Sequence, residues 1–223
     1  MSWFYRGMAV AFLVTVIVGF SASSQRRIAS GAPGLEPLVV LHATLFASWF
    51  VIFLMQTTFV ATGRVATHRR LGVAAAVVAA SLTVDGPLTA IAAARRGHLG
   101  PDGLAFMLVM MVDVLGFAVC VAAAIWWRRN PETHKRCMLL GTTSMLPPAI
   151  SRWPLLAGHL VGVPIVLLAF LAAAPLRDLL TRRRVHPVSL WGGLALFASG
   201  PLRLVIAHSA AWHQVALWLI HRI

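Results

Sequence analysis

The chain has 223 residues, of which 59% are hydrophobic and only 11% charged, and its mean hydropathy is +0.83; this excludes an ordinary soluble domain and indicates a multi-pass membrane protein. The formal net charge of +13 does not imply nucleic-acid binding, because the 19 Lys and Arg residues fall mostly in short breaks between apolar runs, not along one groove-facing stripe. Cys120 and Cys137 form neither a CxxC nor a haem-attachment CxxCH pattern and read as packing residues.

The expected fold is all-α: a polytopic membrane protein with seven transmembrane helices in a single domain, residues 1–223, with spans near 7–22, 38–62, 71–94, 104–127, 132–151, 155–176 and 187–207. The first span follows Arg6 and ends in SASSQRR, which imitates a secretory cleavage site; the six spans behind it favour a retained helix. The second starts at Pro37 and stops in Gly63-Arg64. Within it His42, Trp49, Gln56 and Gly63 recur every seven residues and share a face that points at protein. The third is expected to break at Asp85-Gly86-Pro87, where proline removes a backbone donor. The fourth carries Asp113.

Arg128-Arg129-Asn130-Pro131-Glu132 reads as a helix start, with Asn130 as N-cap, Pro131 at the first helical position and Glu132 at the positive helix end. The fifth span then includes His134, kinks at Pro147-Pro148 and ends at Ser151-Arg152-Trp153-Pro154. The sixth ends at Leu176, with Arg177–His186 as a basic loop, and the seventh is interrupted at Gly200-Pro201. The segment from Ala211 mixes apolar residues with His213, Gln214, His221 and Arg222 and suits a short interfacial helix.

Arg6 and the loops after spans two, four and six hold 12 of the 19 basic residues, which places the N-terminus in the cytoplasm and the C-terminus outside. Thr67-His68-Arg69-Arg70 and Thr133-His134-Lys135-Arg136 both open helices, 66 residues apart, consistent with a duplicated hairpin.

By depth the histidines form two layers: His68, His134 and His186 at the cytoplasmic edge, His42 and His159 near the outer edge. Paired imidazoles on two helices suit axial ligation of haem b, with His68 and His134 or His42 and His159 as candidate ligands and the haem iron as the only metal. Interfacial anchoring explains the inner layer equally simply. Gln56, Asp85, Asp113 and Arg152 form a candidate polar pocket, since an ionisable group at such depth faces a partner, a cavity or a cofactor; a buried pair that fixes helix register is the alternative. A zinc hydrolase would want two histidines one turn apart in the last helix, whereas His208 and His213 are five apart, and a retinal protein lacks its Schiff-base amine because the only lysine is Lys135.

His68-Arg69-Arg70-Leu71-Gly72, Pro131-Glu132-Thr133-His134-Lys135-Arg136 with Met138-Leu139-Leu140, and His186-Pro187 resemble a group of bacterial seven-helix inner-membrane proteins, a resemblance that implies the location but no particular activity. The paired histidines are more distantly similar to multi-helix b-type cytochromes. The leading functional reading is therefore haem b binding with membrane electron transfer, and its rival is a non-enzymatic protein, either a small-solute or proton-coupled transporter or a membrane assembly factor. The lipid bilayer is the expected partner, with no nucleic acid.

Overall fold

The structure, a computed structural model, describes residues 2–156 and 161–222. The described residues are helical: α1 (Ser2–Ala29), α2 (Pro37–Ala61), α3 (Val65–Arg95), α4 (Gly103–Trp126), α5 (Pro131–Ser144), α6 (Pro147–Ile150), a 3₁₀ turn (Pro154–Leu156), α7 (Gly162–Arg182), α8 (Pro187–Ala207) and α9 (Ala210–Arg222). Six of these, α1 to α4, α7 and α8, are long and apolar enough to cross a bilayer, so the chain is an integral membrane protein of several spans. At most 33% of the most apolar window of any of them is buried. Side chains such as Val73, Val84, Val205 and Leu180 stand open, as lipid-facing residues do.

Local chemistry sets the helix ends. α2 stops where Gly63 takes φ +76, a left-handed conformation that costs glycine little; Gly63 N–H then donates to the Val60 carbonyl and Arg64 N–H to Phe59 at 2.8 Å. Gly97, φ +70, closes α3 in the same way through Ala94 and Ala93. Asn130 caps α5, its side-chain oxygen accepting from the N–H groups of Glu132 and Thr133, both at 3.2 Å.

Three expected features differ. α3 runs unbroken through Asp85-Gly86-Pro87, and α8 through Gly200-Pro201. Proline removes one ladder bond, but neighbouring groups in a bundle can satisfy the freed carbonyl, and water does not compete for it. α7 begins later than expected, at Gly162, and continues through Arg177 to Arg182, so half of the expected basic loop is helix. The chain does break at the double proline: α5 ends at Ser144 and α6 resumes at Pro147, because two consecutive rings would collide with the Thr143 and Ser144 carbonyls. At ~1.5 Å per residue, the 14 residues of α5 cover only about 21 Å.

The chain groups into two compact units, Met1–Leu82 with Met145–Leu167, and Thr83–Ser144 with Leu168–Ile223. In the first, α1 packs on α2 and α6. Phe12, Trp49 and Phe50 are almost fully enclosed, the Phe12 and Phe53 rings stack 6.1 Å apart, and Trp153 Nε1 donates to the Thr15 carbonyl at 3.1 Å. In the second, α4, α5 and α8 pack mutually, and small residues allow the approach: a methyl group on Gly141 would lie 3.1 Å from Cys120 Cβ and 3.4 Å from the Phe117 carbonyl. α9 packs against α4, with Ala216 enclosed beside Met107 and Ile91 and Trp212 Nε1 donating to the Leu104 carbonyl at 2.7 Å.

Gly19 carries the α1–α6 contact of the first unit, since a Cβ there would fall 2.1 Å from the Ala149 carbonyl oxygen, whereas one at Gly7 meets nothing within 4 Å. Gly19→Ala should therefore lower stability by about 1–3 kcal/mol through overpacking, with Gly7→Ala close to neutral, as read by thermal unfolding of the detergent-purified variants.

Candidate functional site

Polar side chains concentrate in two places in the second unit. The first is its arginine-rich end. The Asn130 cap and Pro131 start α5, so that Glu132 lies in the first turn and Arg136 one turn further on, directed inward. The extension of α7 brings Asp178 to meet it. Arg136 has no exposure, and its guanidinium grips the Asp178 carboxylate with both edges, Nη2 to Oδ1 at 2.6 Å and Nε to Oδ2 at 3.3 Å. Nη1 donates to the Glu132 side chain at 2.6 Å and to its carbonyl at 2.9 Å. Asp178, 1% exposed, also accepts the backbone N–H of His186 at 3.3 Å. Glu132 gathers two more cations, Lys135 at 2.5 Å and Arg182 at 2.9 Å.

This arrangement ties three helices together. After α7 the chain reverses through Arg183, which holds φ 55, and His186 caps α8 by accepting the Val188 N–H on Nδ1 at 3.2 Å. That acceptor role requires a neutral imidazole. Burial, the nearby Arg136 guanidinium and Arg182 keep the His186 pKa below its ordinary 6.5, against the opposing pull of Asp178 and Glu132. For Glu132, burial alone would raise the pKa, but hydrogen bonds from Lys135, Arg136 and Arg182 outweigh it and hold the carboxyl down at about 2.

The second place lies at mid-span. Asp113 on α4 forms an ion pair with Arg203 Nη1 from α8, the side chains being 9% and 13% exposed. Asp113 stands ten residues from Gly103 and 13 from Trp126, about 15 and 20 Å along the helix. Gly86 packs onto Val114, next to Asp113 in sequence, and Asp85 beside it is buried, 6% exposed.

The remaining expected site residues are distributed as follows. His134, half-buried, places its Nδ1 2.9 Å from the Ala124 carbonyl, so Nδ1 is the donor. His68 opens α3 in the first unit, half-buried with Nδ1 shielded from solvent. His42 is half-buried on α2 with its ring 6.1 Å from that of Phe46, and His159 lies outside the described residues. Gln56 is buried in the first unit with its amide nitrogen close to Gly72. Arg152 donates to the Pro148 carbonyl and stacks its guanidinium 5.0 Å over Phe20. Among the described residues no group of three or more His, Cys, Asp or Glu converges in the manner of a metal site. A shallow groove of about 570 Å³ along α2 is walled by Ala43, Thr44, Ala47 and Ser48 and is uncharged.

Sequence reasoning missed Arg136, Asp178 and Arg203 as partners. One signal was present: Asp178 is the only acid between Arg177 and Arg184, and Leu179-Leu180 behind it continue the helical apolar pattern. No protein family, curated protein or solved structure matches the chain.

Removing one partner of a fully buried ion pair leaves the other charge uncompensated, so Asp178→Asn should cost about 3–5 kcal/mol, measured as the loss of thermal stability relative to wild type. The acid side has a sign as well. His186 has a lowered folded pKa, so the unfolded chain takes up its proton first, and stability falls as pH drops through 6.5 toward the folded value. His186→Asn keeps a capping oxygen without a titrating ring. It should flatten the stability profile in that window and leave the further loss between the ordinary Glu132 value of 4.5 and about 2 intact; a profile identical to wild type near pH 6 would sink the cap assignment.

Proposed function

We propose that the protein is a non-enzymatic carrier of a small solute in the bacterial inner membrane, coupled to a proton through the Asp113–Arg203 pair. The observation that carries this reading is a carboxylate near the middle of α4, paired with an arginine that reaches in from the last turns of α8; a charge at such depth is expensive and is kept for transport or relay. The chemistry follows from the pair. Protonation of Asp113 removes its negative charge and leaves Arg203 in a low-dielectric setting with a strong demand for an anion. A small anionic solute answers that demand, so one proton and one anion load together and leave together, and the re-formed pair resets the site. Asp85, buried beside Gly86, is the second carboxylate of this reading. We take the α5–α6 segment as the seventh crossing, which puts the two termini on opposite sides, and the arginine distribution favours a cytoplasmic N-terminus and an outer C-terminus.

A second reading retains haem b. It is supported by the His134 hydrogen bond to the Ala124 carbonyl, which fixes the ring through Nδ1 as a backbone carbonyl fixes a metal-ligating histidine. In that reading His134 is one ligand of the iron, which would supply one-electron transfer when bound.

One pair of measurements separates the two. On a solid-supported membrane carrying protein-containing vesicles, a step to acid pH should give a transient current as protons enter the field, reduced at least about tenfold in Asp113→Asn, since a charge moved within the membrane field is electrically visible. The same preparation, expressed with haem precursor, should be colourless before and after dithionite. A current of wild-type size in Asp113→Asn overturns the carrier assignment, and a stoichiometric Soret band lost in His134→Ala establishes the haem one instead.

A further inference from the structure

We propose that the arginine-rich end of the second unit is a docking surface for the phosphate headgroups of anionic glycerophospholipids. Eight cations collect there, Arg128, Arg129, Lys135, Arg136, Arg177, Arg182, Arg183 and Arg184, against two acids, Glu132 and Asp178. Both acids are already paired: Asp178, enclosed, with Arg136, and Glu132 with Lys135, Arg136 and Arg182. Arg128, Arg129, Arg183 and Arg184 are all exposed, and among the described residues no ion pair holds Arg183 or Arg184. The surplus is therefore outward-facing positive charge.

Two further observations identify the partner as lipid. Trp126 and Trp127 close α4 at this end, 80% and 49% exposed, the placement of indoles at the level of the headgroups. On α7 the open apolar face reaches the charges themselves: Leu176 is 55% exposed and Leu180 77%, one turn from Arg183 and Arg184. A single phospholipid thus finds a lane for its acyl chain and cations for its phosphate in the order its own structure requires. Part of the surrounding charge is ordered before the lipid arrives, because the carboxylate of Glu132 holds the Lys135 and Arg182 side chains in place. Less side-chain freedom remains to be lost on binding.

The probe is phosphatidylglycerol added to the full-length protein in mixed micelles, with phosphatidylcholine as the uncharged comparison, and retained lipid is read by native mass spectrometry. Wild type should retain phosphatidylglycerol selectively. The double variant R183Q/R184Q should bind it on the order of tenfold less tightly, with unchanged thermal stability in phosphatidylcholine, whereas R95Q/R96Q, at the C-terminal end of α3, should bind as wild type does. Equal retention of the two lipids, an equal loss in R95Q/R96Q, or displacement of the lipid by inorganic phosphate would each overturn the assignment.

Discussion

The buried Arg136–Asp178 pair is the constraint on which the second unit depends. A guanidinium with no exposure is tolerated only when its donors are matched, and four hydrogen bonds from Arg136 to Asp178 and Glu132 do this. Matching them requires several things together. α5 must start at Pro131 so that Glu132 falls one turn before Arg136. α7 must extend past Leu176 to carry Asp178. The turn after α7 must be tight enough for the His186 N–H to reach the same carboxylate. The backbone at Arg183, in the left-handed region, is one consequence of that tight return. Bidentate geometry adds direction to strength, so the pair sets the rotation of α5 about its own axis and with it the burial of Leu139, Leu140 and the Thr142-Thr143-Ser144 run. Those hydroxyls turn back onto backbone carbonyls within the helix, at 2.8–2.9 Å, and so add no unmet polar group to the core.

Much of the fold is legible in the chain because two physical signals are strong there. Apolar length reports spans, and the α2, α4 and α8 boundaries agree with the expected ones within one residue. Capping chemistry reports ends: Asn130 and Gly63 act through the hydrogen bonds their residue types imply, and Pro131, with no N–H to satisfy, takes the first helical position. Proline was read by the rule for water-exposed helices, and that rule transfers poorly. Pro87 and Pro201 stay inside continuous helices, while Pro147-Pro148, with two rings in succession, ends one. The candidate site was less legible. Hydropathy assigns a run such as Arg177–Arg184 to a loop because it scores each residue by transfer cost, whereas a paired Asp178 and Arg136 nearly cancel each other's cost once they meet. That cancellation is long-range, across 42 residues of sequence, and no local pattern encodes it. Asp113 is legible from depth alone; its partner Arg203 is not, because its backbone stands four residues from the end of α8 and only its long side chain reaches inward.

The two ion pairs of the second unit differ in a way that separates scaffold from switch. Arg136 and Asp178 form a saturated cluster in which every change of charge strands a neighbour, so the cluster resists titration and suits a structural role. Asp113 and Arg203 form a pair with fewer partners, at 9% and 13% side-chain exposure. Among the described contacts, Arg203 adds only the Val109 carbonyl at 3.5 Å. In the proposed carrier such a pair would pass between two states, closed on itself or open to a proton and an anion, a difference in ligand affinity between two states being what coupling requires. Rigidity at one end of α4 and α5, with a looser charge pair midway along α4, is the arrangement expected of a carrier whose moving part is confined to a few side chains and whose helices keep their register while it works.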